Sequence, residues 1–326
     1  MFLSFAPMEG LTGADYRRLH RRFFPGADRY YAPFVAPDAA GNLRRAQLRA
    51  LLPENDPGAP LVPQILANSA EAFLGAARQL AGLGYEEINL NLGCPSGTVT
   101  AKGKGAGLLA DRDALRRLLD GIFADPPAAV SVKTRMGWAS TAEFPALLEI
   151  YRDYPLAELI VHARDRAGLY RSRPDRSGFA AALGSCPFPV CWNGDVFSPA
   201  DLAALRRELP GLERVMLGRG AVADPALFRL LRGGAPLEAE ELRAFLDALL
   251  EAALASGLAP VHALDRMKEL WYYLRVKFPS GEKAVKALLK SRRLEDYRAA
   301  LDALFASGRF EPDAFFTPPS GMPESF

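Results

Sequence analysis

The chain has 326 residues, 49% hydrophobic and 24% charged, with 40 Lys and Arg against 38 Asp and Glu for a net charge of +2. This is the composition of an ordered globular protein large enough for one large core or two modest ones, and no apolar run approaches membrane-spanning length. Three cysteines without metal-ligand spacing predict a reducing, cytoplasmic setting with neither disulfides nor a bound metal.

In chain order, the first residues lack a basic n-region and run straight into Ala6, so they read as a strand rather than a signal peptide. Eight short apolar or β-branched runs then recur, at 2–6, 29–35, 61–66, 87–92, 130–135, 158–162, 189–193 and 214–218, each closed by a Gly, Pro or Asn signal. Helical periodicity with N-cap residues fills 70–83, 113–123, 141–154, 198–209 and 224–231. This alternation predicts an α/β fold, a (β/α)8 barrel over residues 1–235. A doubly wound open sheet is the competitor. It is disfavoured because polar residues end nearly every run, whereas an open sheet gathers its site at one switch point.

Gly233, Gly234, Ala235 and Pro236 read as a hinge, after which helices follow without strands, predicting a small all-helical domain at 236–316. Met267, Leu270, Trp271 and Leu274 form its buried stripe, as do Val285, Leu288 and Leu289. Lys268, Tyr272 and Arg275 share another face, and Lys283, Lys286 and Lys290 point away from the apolar side. From His262 to Arg293 there are nine Lys and Arg against three Asp and Glu, a local basic segment on an otherwise mildly acidic chain, which suggests an anionic partner. The Pro- and Ser-bearing tail at 317–326 is expected to be flexible.

In a barrel of this kind the site is the rim formed by strand carboxyl ends. The residues there are Pro7, Met8 and Glu9; Gln64; Asn91 with Cys94; Lys133 with Arg135; His162 with Arg164; Asn193, Gly194 and Asp195; and Gly218 with Arg219. Any one has an ordinary structural explanation, but seven of eight strands ending so point to a site, because buried polar groups are costly without partners. Glycines after the last two strands suit a phosphate, with Arg219 adding a charged bond. With Lys133 and Gln64 nearer the axis and a thiol opposite, the set suits a flat phosphorylated cofactor such as FMN without singling it out. The loop from Lys102 to Gly107 lacks phosphate-loop spacing and reads equally as a flexible cover, with Lys102 and Lys104 available to phosphates, or as a plain solvated loop.

As a set, Ala6-Pro7-Met8-Glu9-Gly10, Asn91-Leu92-Gly93-Cys94-Pro95, Lys133-Thr134-Arg135, His162-Ala163-Arg164, Asn193-Gly194-Asp195 and Gly218-Arg219-Gly220 resemble the tRNA-dihydrouridine synthases, over the barrel to about Leu231. The resemblance implies FMN held by Pro7, Met8, Glu9, Gln64, Lys133, His162, Asn193, Gly194, Asp195, Gly218 and Arg219. It implies a hydride passed from reduced flavin to carbon 6 of uracil, with Cys94 giving a proton to carbon 5. NADPH, or NADH, would be a transient electron donor, since no dinucleotide fingerprint is present. The same likeness implies that the helical domain grips tRNA, with Asn91 orienting uracil, Arg164 taking a carbonyl oxygen or a phosphate, and Lys268, Arg275, Lys283 and Lys286 tracking the phosphate backbone. No membrane and no obligatory protein partner are expected. The alternatives are a flavin barrel acting on a free small molecule, as dihydroorotate dehydrogenases do, and an RNA-binding protein that keeps the barrel only as scaffold.

Overall fold

Pro63 governs how the sheet closes. The computed structural model describes residues 1–55, 58 and 60–318; the expected flexible tail lies outside the described residues apart from Thr317 and Pro318. The strands are β1 (Phe2–Phe5), β2 (Arg29–Tyr31), β3 (Leu61–Val62), β4 (Gln64–Ile65), β5 (Glu87–Leu92), β6 (Ala129–Gly137), β7 (Leu159–Asp165), β8 (Val190–Asn193) and β9 (Arg214–Leu217). They pair in the order β3-β2-β1-β9-β8-β7-β6-β5-β4, all in parallel. β3 and β4 are one run interrupted at Pro63, which has no N–H to donate. The carbonyl of Pro63 still accepts the Asn89 N–H at 2.9 Å, while Val62 accepts from Ala32 at 3.0 Å. The broken run therefore bonds to neighbours on both sides, and the ring is a closed eight-stranded barrel with helices outside, as the alternation predicts.

Each expected helix is present, with ends shifted by a few residues: Ala70–Ala81, Arg112–Phe123, Phe144–Arg152 behind a short turn at Thr141–Glu143, Pro199–Glu208 and Leu227–Leu231. Ser69, Asp111 and Ser198 cap three of them by accepting backbone N–H bonds. Helices at Ala14–Phe23, Arg45–Ala50 and Arg176–Leu183 add to these.

Beyond residue 236 the chain is helical, at Ala239–Ala255, Pro260–Leu274, Glu282–Lys290 and Leu294–Ser307. The expected hinge is stapled: Arg229 donates to the carbonyls of Ala235 and Pro236 at 3.0 and 2.9 Å and pairs with Glu241 at 2.8 Å. Phe245 then meets Phe24 edge-on at 5.1 Å, with Tyr16 and Phe23 also in contact, so the first appended helix packs on the barrel's outer layer. Lys277, 0% exposed, donates to Asp224, 2% exposed, at 2.7 Å and to the Pro312 carbonyl at 2.6 Å. The buried stripe of Met267, Leu270, Trp271 and Leu274 is as expected, as are Val285 and Leu288, but Leu289 is 40% exposed and leaves the stripe.

Candidate active site

β5 delivers Cys94. Gly93 and Pro95 end the strand, and Asn91 turns the chain outward by accepting the N–H groups of Gly93 and Cys94 at 3.0 and 2.9 Å. The following segment is not a loose cover. It forms short turns at Gly97–Thr100 and Gly105–Ala110, tied back by the Ala106 N–H to the Cys94 carbonyl at 3.0 Å and by Asn68 to the Lys102 carbonyl at 2.9 Å. Gly105 has φ +57°, and a Cβ there would lie 2.8 Å from the Cys94 carbonyl oxygen. The glycine pattern therefore serves close packing on Cys94. Burial pushes the half-buried thiol up, opposed by the Ser96 N–H and the charge of Arg135. The group is thus protonated at neutral pH.

β6 and β8 place the cation. Lys133 donates to Asn193 Oδ1 at 2.9 Å, and Asn193 donates in turn to the Met216 carbonyl at 2.9 Å. Burial, and then the neighbouring Arg135, push the Lys133 ammonium down to about 8. Arg135 is buried and donates to the Gly93 carbonyl at 3.0 Å and to the carbonyls of Asp165 and Leu169 at 2.8 and 3.0 Å, tying the thiol loop to the loop after β7.

β7 places a neutral imidazole. Burial drives His162 well below its usual range, and Arg135, Lys133, Arg164 and Arg219 add to this. Its Nε2 lies 3.2 Å from Arg164 Nη1, and a guanidinium only donates, so Nε2 is the acceptor. Arg164 also donates to the Ser172 carbonyl at 2.6 Å and forks onto both oxygens of Asp195. Arg219 donates to the same carboxylate at 2.6 Å. Asp195 and Leu169 are the non-glycine residues with positive φ, at 25° and 51°, among the described residues. Both stand on this rim, where strained backbone is held by its surroundings.

The expected cofactor residues thus share one rim. Gly218 faces the β1 end, where a Cβ would sit 3.4 Å from Ala6 Cβ and 3.5 Å from Met8 Sδ, and Pro7 and Glu9 flank Met8. Gln64 is buried and bonded to Asn91. Gly194, with φ +150°, turns the chain between Asn193 and Asp195. Two expected substrate contacts also hold bonds within the protein. Asn91 is bonded to Gly93, Cys94 and Gln64, and the Arg164 guanidinium to Ser172, His162 and Asp195, and the second Asn91 amide proton is left for a ligand. Lys102 is exposed and Lys104 half-buried beside the Cys94 loop. Lys268, Lys283 and Lys286 lie on the appended helices and Arg275 on the turn that follows Leu274, with Lys268 within 3.6 Å of Asp265 and Arg275 over the Tyr272 ring at 5.0 Å. Tyr170 escaped the sequence reading. It is 39% exposed, its ring 4.3 Å from the Arg219 guanidinium and 5.6 Å from the His162 ring. The available signal was a lone aromatic within an arginine-rich loop at a strand end.

A family profile described as Dihydrouridine synthase (Dus) matches residues 4–256. The chain belongs to the dihydrouridine synthase family. The match reaches past the barrel into the helix packed by Phe245. Among relatives, the tRNA-dihydrouridine(16) synthase of Ralstonia nicotianae is 35% identical over 73% of this chain and 74% of its own length. The tRNA-dihydrouridine synthase B of Pseudomonas putida is 31% identical over 80% of this chain and 76% of its own. A solved structure of morphinone reductase shares the fold, with a TM-score of 0.52 at 13% identity, over 73% of this chain and 87% of that one. This family member places its Asn-Leu-Gly-Cys-Pro run at the end of β5, on the same rim as Lys133 and His162.

Proposed function

We propose that this protein reduces uridine in tRNA to 5,6-dihydrouridine, with FMN held at the barrel rim, Cys94 as proton donor and NADPH as the electron source. Family membership supports the reaction, and one observation carries the assignment of roles: a thiol kept protonated by burial on the rim that also holds Lys133 and the neutral His162. A thiol of ordinary pKa near 8.5 or above is an acid at neutral pH without placing a permanent negative charge beside a reduced cofactor.

The donor set fits FMN. Lys133 and Arg219 are positive, Gln64 keeps an amide proton beyond the one given to Asn89, and Gly218 leaves the β1 end open beside Met8. Gly194 and Asp195 complete the turn on that side, and Pro7 and Glu9 border it. FMN, when bound, supplies the hydride for carbon 6 of the pyrimidine. Lys133 sets the positive potential at the ring's polar edge. His162 offers a neutral imidazole whose acceptor nitrogen is held by Arg164. Cys94 delivers its proton to carbon 5. The target base leaves its stack to reach this rim, and residues 236–316, with Arg275, Lys283 and Lys286 exposed, grip the RNA from outside it.

Mass-spectrometric mapping of dihydrouridine in tRNA from cells with and without the gene tests the reaction, and loss at defined positions is the expected result. Purified Cys94→Ala retains bound flavin and its reduction by NADPH but falls by at least about a hundredfold in dihydrouridine formation, the usual scale of a lost general acid. Wild-type turnover in that variant refutes the acid role. Reoxidation of the flavin by free pyrimidines, with no stimulation by tRNA, transfers the assignment to a small-molecule enzyme. Paired Lys283→Glu and Lys286→Glu changes weaken tRNA binding and flatten its salt dependence by about one unit of slope per lost contact.

A further inference from the structure

A chain of side chains runs from the barrel interior to the Cys94 loop. Gln64 stands beside Asn89, and Asn89 beside Ser131, in register across three strands, with Asn91 two residues further along β5. All four are buried, Asn89 and Ser131 completely. Asn91 Oδ1 accepts from Gly93 and Cys94; Asn91 Nδ2 donates to Gln64 Oε1 at 2.7 Å. Gln64 Nε2 donates to Asn89 Oδ1 at 2.8 Å, and Asn89 Nδ2 donates to Ser131 Oγ at 2.9 Å.

The polarity of this relay is forced. A backbone N–H only donates, so the Asn91 atom facing Gly93 and Cys94 is its oxygen. Its nitrogen then faces Gln64, which must present oxygen; Gln64 nitrogen therefore meets Asn89 oxygen, and Asn89 nitrogen meets Ser131. Only the Ser131 hydroxyl, able to donate or accept, ends the sequence without a constraint of its own. Breaking any link strands a buried amide group, which costs more than the bond contributed.

We propose that Asn89 and Ser131 are positioning residues for Cys94, fixing through Gln64 and Asn91 the loop that holds the thiol in its half-buried place. Their relevance to catalysis rests on Cys94 being the proton donor. The relay itself is read on the thiol alone, without RNA or turnover, so the two ideas fail separately.

The experiment is alkylation of the full-length protein, as purified, by iodoacetamide across a range of pH, with modification at Cys94 and Cys186 quantified separately by peptide mass spectrometry. Asn89→Leu preserves size but offers nothing to Gln64 or Ser131. The loop is released, the thiol gains solvent, and its reaction near neutral pH speeds up roughly tenfold as its midpoint falls by about one pH unit. Asn89→Asp keeps the relay in either protonation state. Protonated, its hydroxyl donates to Ser131 as the amide does; ionised, it accepts from a turned Ser131. Its profile therefore follows the wild type.

Packing alone predicts the reverse order, with leucine tolerated and a buried acid disruptive. Cys186, half-exposed ahead of β8, reports general loosening of the fold. If its rate rises in Asn89→Leu, the milder Ser131→Ala is read by the ratio of Cys94 to Cys186. An unchanged ratio in Ser131→Ala, or Asn89→Asp behaving like Asn89→Leu, overturns the proposal.

Discussion

At the scale of single residues, Lys133 and Cys94 are moved in opposite directions by the same burial. The lysine is a base whose value in the fold lies below its ordinary one, so it is charged below about 8 and loses that charge as pH rises through it. The thiol is pushed up and stays protonated over that interval. On the proposed roles, the alkaline limb of kcat/KM for tRNA reduction should follow Lys133, with an expected fall approaching tenfold per pH unit above about pH 8. Lys133→Arg, permanently charged, shifts that limb upward even where the plateau is lower. A pH profile identical in the two proteins assigns the limb elsewhere. The common placement of Cys94, Lys133 and His162 at strand ends was legible in the sequence, because each follows or closes an apolar run. The internal partners of Asn91 and Arg164 were not, because they are Gln64, 27 positions away, and Asp195, 31 positions away, and sequence does not reveal such partners.

At the scale of elements, legibility followed the apolar pattern. The helix Ala14–Phe23 was hidden because its buried face carries Arg17, bonded to the Thr12 carbonyl, and His20, held between the Tyr30 hydroxyl and the Pro225 carbonyl. The helix Arg45–Ala50 buries no residue and so has no stripe to detect. The segment after Cys94 misled in the other direction, since its glycines suggested looseness while two of them allow tight turns. Gly105→Ala tests this. A side chain at φ +57°, 2.8 Å from the Cys94 carbonyl, should cost about 1–3 kcal/mol and displace the thiol. Thermal melting reads the loss, and dihydrouridine formation should fall by more than the melt alone accounts for. Full activity with an unaltered melt shows that the loop yields without moving Cys94.

At the scale of the whole molecule, the boundary expected at 235/236 is crossed by aromatic packing, by the Arg229 staple and by the buried pair of Asp224 and Lys277. Removing one partner of such a pair leaves a charge without water. Asp224→Ala should therefore lose about 3–5 kcal/mol by denaturant unfolding, whereas the double change Asp224→Leu with Lys277→Met recovers most of it. Equal stability in the single and double variants places the weight of the junction on Phe245 instead. The composition of 233–236 announced a break because glycine and proline permit one; the guanidinium that bridges it arrives from Arg229, outside that window.

Closure of the ring also has a consequence for biosynthesis. β1, made first, pairs along its full length with β9, whose residues follow more than two hundred positions later. At ordinary elongation rates the ribosome needs roughly ten to forty seconds to span that interval. Throughout it the nascent sheet presents an open edge, a template for wrong partners that chaperones or early helix docking must shield until the last strand emerges.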